Sequence, residues 1–178
     1  MSSQPQLELG PPHTRAERTL DQARAEYAAA IKGDGMRCPC CNKWGKINPV
    51  PLTAPIIARL AFLYFRTEPE GEFIHVPEKG RHSELRGNNV GKLKLWQFAE
   101  TARAKNGKQK RTGRYRITAR GVLFFERKLT VFPKCWTFDD KIVDWDRDEL
   151  IDVREASRRG KQGFDYDAAM ADRFIDRP

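Results

Sequence analysis

The chain has 178 residues, 39% of them hydrophobic and 32% charged, with a net charge of +9, a length that suits one core of ordinary size with extensions. No apolar run approaches the roughly 18 residues that span a bilayer, and the opening MSSQPQLELGPPHTR lacks the apolar stretch of a signal peptide, so no membrane role and a cytoplasmic setting are expected. Three of the four cysteines crowd into Cys38, Cys40 and Cys41 while Cys135 stands alone, which argues against a secreted disulfide framework and for a metal or reduced thiols.

Residues 1–18, with prolines at 5, 11 and 12, read as a disordered arm. Residues 19–50 form a first module. Thr19 with Gln22 fits a capping box, Leu20, Tyr27 and Ile31 recur at helical spacing, and Gly33 supplies a stop, so a helix over Leu20–Lys32 is expected. MRCPCCNKWGKI follows as a compact knuckle, then the proline-punctuated connector NPVPLTAP.

A second module is expected over residues 51–138. Thr53 is placed to cap APIIARLAFLYFRTE, in which Ile56, Ile57, Leu60, Leu63 and Tyr64 make a broad apolar stripe, so this is the central core helix. EFIHV reads as a short strand. Asn88 is placed to cap NNVGKLKLW, a second helix with Val90, Leu93 and Trp96 inward and Asn89, Lys92 and Lys94 outward. FAETARA and RYRI are the arms of a β-hairpin with a long basic tip, AKNGKQKRTG. Thr118 then caps ARGVLFFERKL, with Val122, Leu123, Phe125 and Leu129 as its apolar positions. VFPKCWTFDDKIVDW supplies another hairpin, turning at Asp139 and Asp140. Residues 139–178 read as an acidic tail in which Tyr166, Met170 and Phe174 repeat at i, i+4 and i+8, a short helix for docking on a protein or on its own core.

Charge is distributed unevenly. Lys79–Lys128 holds 15 Lys and Arg against three acids, whereas 139–178 holds 8 basic and 12 acidic residues. Arg103, Lys105, Lys108, Lys110, Arg111, Arg114, Arg116 and Arg120 lie in one stretch without an acid. Such a hairpin suits phosphate contacts along DNA, while Asn89, Lys92 and Lys94 on the preceding helix suit the groove. A merely solvated basic face would have the same composition.

Cys38 and Cys41 stand as C-P-x-C, a turn that brings two thiolates onto one zinc ion. Zinc needs further ligands, for which Cys40, His75, His82, Cys135 or a second subunit are the candidates; a knuckle that keeps its turn without metal is the alternative. No nucleophile stands at motif spacing from His13, His75 or His82, and GKQKRTG lacks the strand-to-helix setting of a phosphate loop, so no enzyme is expected.

The order helix, short strand, KLKLWQFAE, basic hairpin, RYRIT and TARGVLFF resembles the winged helix-turn-helix proteins, including regulators of the MarR and PadR type, over about 80 residues. In that family a recognition helix runs into the first wing strand through an L-x-x-x-G-L-I-E-like stretch, and the second wing strand ends in Y-x-L-T-x-x-G. Leu93, Trp96, Phe98 and Glu100 match the former; Tyr115, Ile117, Thr118 and Gly121 match the latter. Gln97 departs from the pattern, standing where a glycine usually ends the helix, and the helix before the recognition helix is not visible. The resemblance implies a winged helix-turn-helix core, which together with the N-terminal helix, the cysteine knuckle and the C-terminal acidic extension read from the residues makes the expected α+β fold. It implies a regulatory protein that binds double-stranded DNA, with a homodimer as one arrangement. A CPxC knuckle ahead of such a domain is also similar to small phage and prophage proteins, which implies a phage or mobile-element setting. It leaves open a second reading, an interaction protein that inhibits or redirects a host protein in the host cytoplasm.

Overall fold

A computed structural model describes residues 19–76, 90–102, 113–161 and 163–171. The chain divides into two compact units, Met1–Ile47 and Asn48–Pro178. The boundary falls slightly before the expected one at residue 50, because Asn48–Pro51 forms a strand of the second unit. The arm over 1–18 lies outside the described residues.

In the first unit α1 spans Leu20–Ala30, opened by the expected capping box: the Thr19 hydroxyl accepts from the Gln22 N–H (3.2 Å), and the Gln22 side chain accepts from the Thr19 N–H (3.0 Å). The chain then reverses into a small antiparallel hairpin of β1 (Met36–Arg37) and β2 (Trp44–Gly45). Gly35 makes this possible. Its φ is +85°, and a Cβ there would stand 2.7 Å from the Gly45 carbonyl oxygen and 2.8 Å from the Trp44 ring. The Ile47 N–H donates to the Ile31 carbonyl (2.7 Å) and returns the hairpin to the helix end.

The second unit is built around α2 (Ala54–Arg66). Its stripe of Ile56, Ile57, Leu60 and Leu63 is fully buried and is widened by Ala54, Ala58 and Ala61, each large side chain contributing about 1.5–3 kcal/mol of apolar burial. Thr53 occupies the N-cap without a side-chain bond, and Pro55 sits in the first turn, where its missing N–H costs nothing. At the other end the Thr67 hydroxyl donates to the Leu63 carbonyl (2.8 Å) and accepts from the Ile117 N–H (3.0 Å). That residue joins the helix end to a sheet of β4 (Ile74–His75), β5 (Ala99–Thr101) and β6 (Arg114–Ile117), antiparallel in the order β4-β6-β5. Period-two alternation turns Tyr115 and Ile117 toward the core and Arg114 and Arg116 away from it.

The segment expected as a second α-helix is a 3-10 turn, Val90–Lys94, that closes as a Schellman cap. The Phe98 N–H donates to the Leu93 carbonyl (3.0 Å), the Gln97 N–H donates to the Lys94 carbonyl (3.0 Å), and Gln97 stands in the left-handed region at φ +59°. The position where the resemblance has glycine thus keeps the glycine conformation with a side chain attached. Gln97→Gly is expected to raise stability by ~0.5–1 kcal/mol, since a left-handed non-glycine residue carries strain. Urea unfolding midpoints of the two proteins would measure it, and a lowered midpoint would show that the Gln97 side chain itself supports the turn.

Helix α3 (Ala119–Phe125) follows β6, with the Thr118 hydroxyl accepting from the Gly121 N–H (3.1 Å) as expected. Its buried face is Gly121, Phe124 and Phe125, while Leu123, one of the apolar positions named from the sequence, is exposed. The helix ends at Phe125, short of the expected ARGVLFFERKL segment.

The expected hairpin about Asp139 and Asp140 is present as β7 (Lys134–Phe138) and β8 (Lys141–Trp145), both turn residues taking positive φ, and it forms a second antiparallel sheet with β3 (Asn48–Pro51) in the order β3-β7-β8. The acidic stretch is not an appendage. Ile151 bridges to Val131, α4 (Val153–Arg158) and α5 (Tyr166–Ala171) pack on, and Ile151, Val153, Ala156 and Tyr166 are buried in the same core as α2. Its carboxylates stay at the rim, where Asp152 caps α4 through the Glu155 N–H (2.9 Å). Among the described residues the protein is mixed α and β with short antiparallel sheets.

Candidate nucleic-acid interface and cysteine knuckle

The 3-10 turn resolves its residues by phase. Val90, Leu93 and Trp96 are buried, and Lys92 and Lys94 are exposed on the other side. Trp96 anchors the turn: its indole N–H donates to the Phe132 carbonyl (2.9 Å) and its ring meets Trp145 edge-on at 6.0 Å. Both lysines therefore project from a segment that the core holds still. Asn89, named with them from the sequence, lies outside the described residues.

Directly after the turn, β5 and β6 pair with Ala99 opposite Ile117, Glu100 opposite Arg116 and Thr101 opposite Tyr115. Thr118 and Arg120 tie this pair to the turn, the Thr118 hydroxyl donating to the Gln97 carbonyl (2.6 Å) and the Arg120 Nε donating to the Trp96 carbonyl (3.1 Å). Arg103, Lys105, Lys108, Lys110 and Arg111 fall in the segment between the strands and lie outside the described residues. Arg114 is exposed at the start of β6.

Arg116 behaves differently from the expectation that it meets DNA. Its Nε donates to Glu100 (2.7 Å), an Nη donates to the Gly71 carbonyl (2.9 Å), and its guanidinium lies over the Phe73 ring at 4.5 Å, leaving the side chain 20% exposed. Cross-strand pairing with Glu100 accounts for this, because opposite charges in register on one face of a sheet attract. Arg116 is a structural residue of the sheet, and Arg120 is partly committed as well.

In the first unit the knuckle sits at the hairpin tip. The Cys38 N–H donates to the Lys43 carbonyl and the Asn42 N–H donates to the Cys38 carbonyl, both at 2.8 Å, with Asn42 left-handed at φ +59°. Backbone N–H groups of Cys41 and then Cys40 point at the Cys38 sulfur and hold its pKa below the usual thiol value. Cys40 and Cys41 are exposed and Cys38 is half-buried. Beside them Trp44 is 60% exposed.

Of the other sequence-named ligands, Cys40 belongs to the knuckle, and Cys135 and His75 belong to the second unit. Cys135 is buried on β7 with its thiol directed at the Val50 carbonyl (3.9 Å), and burial pushes its pKa up to about 11. It is a core thiol in the second unit. His75 is exposed on β4, opposite Arg114, with its ring against Gly113. His82 lies outside the described residues, and among the described residues no three His, Cys, Asp or Glu side chains converge in a metal-binding group.

The helix proposed for docking turns inward. Tyr166 is 6% exposed, its hydroxyl donates to the Phe125 carbonyl (2.7 Å), and its ring meets Phe125 edge-on at 5.2 Å, while Met170 packs against the same core. Phe174 lies outside the described residues. The spacing was right for an amphipathic helix, and the partner of its apolar face is this chain.

One buried charge was not legible beforehand. Arg59 stands fully buried in the middle of α2, where loss of water lowers its pKa. Its alternation with Leu60 and Ala58 carries no sequence mark that separates it from a solvent-facing arginine.

Compared with known proteins, the chain matches no protein-family model, no curated protein and no solved structure. The class that the fold defines is a mixed α+β protein with a core helix and short antiparallel sheets. Among the described residues no helix is long and apolar enough to cross a membrane.

Proposed function

We propose that the chain is a non-catalytic, regulatory protein that binds double-stranded DNA through a winged helix-turn-helix arrangement in its second unit. One observation carries the reading: Lys92 and Lys94 stand exposed on a core-anchored turn that runs directly into the β5–β6 pair, whose connection holds the acid-free basic run. The element order α2, β4, 3-10 turn, β5, β6, α3, with strands in the order β4-β6-β5, supports the winged arrangement. A wing-like hairpin beside a lysine-bearing turn presents cations to the phosphates on either side of a groove.

Arg116 drops out of the contact surface and Arg120 has its Nε committed to Trp96, which leaves Lys92, Lys94, Arg114, the lysines and arginines over 103–111 and the remaining nitrogens of Arg120 as its cations. Replacing Lys108, Lys110, Arg111 and Arg114 together by Ala is expected to weaken binding to random duplex DNA and to flatten the dependence of log affinity on log salt by about 0.9 per lost contact. Fluorescence anisotropy across a salt series measures both quantities. Salt-independent binding, or an unchanged slope in the variant, would move the site away from this hairpin and favour a protein partner.

A further inference from the structure

We propose that the hairpin of the first unit binds an unpaired stretch of nucleic acid, with a base stacked on Trp44 and the adjoining phosphates met by Arg37 and Lys43. The case rests on that hairpin alone and is independent of duplex binding by the second unit. Backbone pairing sets the two faces of the hairpin apart. Met36 stands opposite Gly45 and Arg37 opposite Trp44, and directly opposed side chains share one face of an antiparallel pair. Gly45 is buried and Met36 half-buried, whereas Arg37 and Trp44 are both exposed. An arginine and a tryptophan are thus turned together to solvent, with the indole 60% exposed.

The exposed ring is also held in place. A Cβ at Gly35 would stand 2.8 Å from Trp44 Cζ2 and 3.0 Å from Lys46 Cβ, so the missing side chain lets the edge of the indole and the stem of the lysine close over one spot. Arg37 is tied down as well: its Nη1 donates to the Asn42 carbonyl (3.1 Å), a bond that uses only one of its N–H donors and keeps the guanidinium beside the tip. Charge selects the occupant. From Met36 to Ile47 the chain carries Arg37, Lys43 and Lys46 and no acid, which attracts a polyanion. The indole adds an attraction for any base, because every base has a π-face, and a duplex hides those faces within its own stack. The exposed neighbours of Trp44 in the hairpin are Arg37, Cys40, Cys41, Asn42 and Lys43, not the contiguous apolar surface that a protein partner buries.

The experiment uses the full chain and labelled octathymidylate, octauridylate and an abasic octamer with the same number of phosphates, compared by fluorescence anisotropy at one salt concentration. The native chain should bind thymidylate, uridylate or both about tenfold more tightly than the abasic strand, the scale of one base stacked on an aromatic ring; the two base-bearing strands tell DNA from RNA as the source of the nucleotides. Trp44→Ala should abolish that preference, and Trp44→Phe, which keeps a ring, should retain most of it. Lys43→Ala should weaken all three strands alike and leave the preference in place, as loss of a phosphate contact does. Binding of Trp44→Ala to duplex DNA should equal that of the native chain, which separates this site from the one in the second unit. Equal affinity of the native chain for base-bearing and abasic strands would overturn the proposal, and that comparison stands without any variant. A preference that persists in a folded Trp44→Ala would overturn the assignment to Trp44, and a parallel loss of duplex binding would overturn the selectivity for unpaired nucleotides.

Discussion

Gly121→Ala is expected to destabilise the second unit by about 3 kcal/mol or more, the cost of forcing an extra methyl into a packed contact that cannot relax. A Cβ at this position would stand 2.4 Å from the Phe98 carbonyl oxygen, 2.9 Å from Ile117 Cγ1 and 3.1 Å from the Phe98 carbonyl carbon. The carbonyl is not free to move aside, because it accepts the Thr118 N–H at 3.0 Å and so joins the turn to the start of α3. Shifting it would disturb the Thr118 cap and the β5–β6 pairing at once. For a unit of this size the loss corresponds to a fall in Tm on the order of 10 °C, measured by thermal denaturation followed by circular dichroism. Gly91→Ala is the internal control, since nothing lies within 4 Å of a Cβ there, and its melting should be unchanged or slightly higher. Equal melting of Gly121→Ala and the native chain would mean that α3 does not lie this close to Phe98.

Trp96→Ala should cost about 3–5 kcal/mol, the range for removing a large aromatic from a core. The indole is buried, donates to Phe132 and touches Trp145 edge-on, so truncation removes apolar contact and leaves a carbonyl without its donor. Since whole domains are stable by only 5–15 kcal/mol, the variant should be partly or wholly unfolded at moderate temperature. Lys92→Ala, on the exposed side of the same turn, should melt like the native chain and bind duplex DNA more weakly. The pair of phenotypes tests the turn and the proposed function separately. A stable Trp96→Ala that has lost a binding partner would make Trp96 a surface contact and contradict its placement in the core, whereas a Lys92→Ala with undiminished DNA binding would remove the turn from the interface while leaving the fold intact.

The site that these variants probe was legible to different depths. The phase of Val90, Leu93 and Trp96 against Lys92 and Lys94 was readable because alternation between apolar and charged residues reports which side faces water. The type of helix was not: Asn88 and Val90–Trp96 fit an α-helix by pattern, and the structure has a 3-10 turn closed by a left-handed Gln97. A short helix has little hydrogen bonding of its own, so packing of Leu93 and Trp96 decides its pitch. The exposed knuckle was readable from C-P-x-C alone, because its turn is local.

What the sequence by itself determined is what short-range physics controls: the capping box at Thr19 and Gln22, the buried stripe of α2, the Thr118 cap, and the hairpin that turns at Asp139 and Asp140. Each depends on neighbours within a few residues, so the amino-acid pattern carries the whole interaction. Only the tertiary structure decided that Arg116 is bound to Glu100, Gly71 and Phe73, that Tyr166 closes over Phe125, and that the acidic stretch belongs to the core. Those partners lie far away in the chain, and a charged or amphipathic residue reads the same on the page whether its counterpart is DNA, another protein or a distant strand of its own fold. Long-range pairing chooses among them by which contact can be made while the core stays packed.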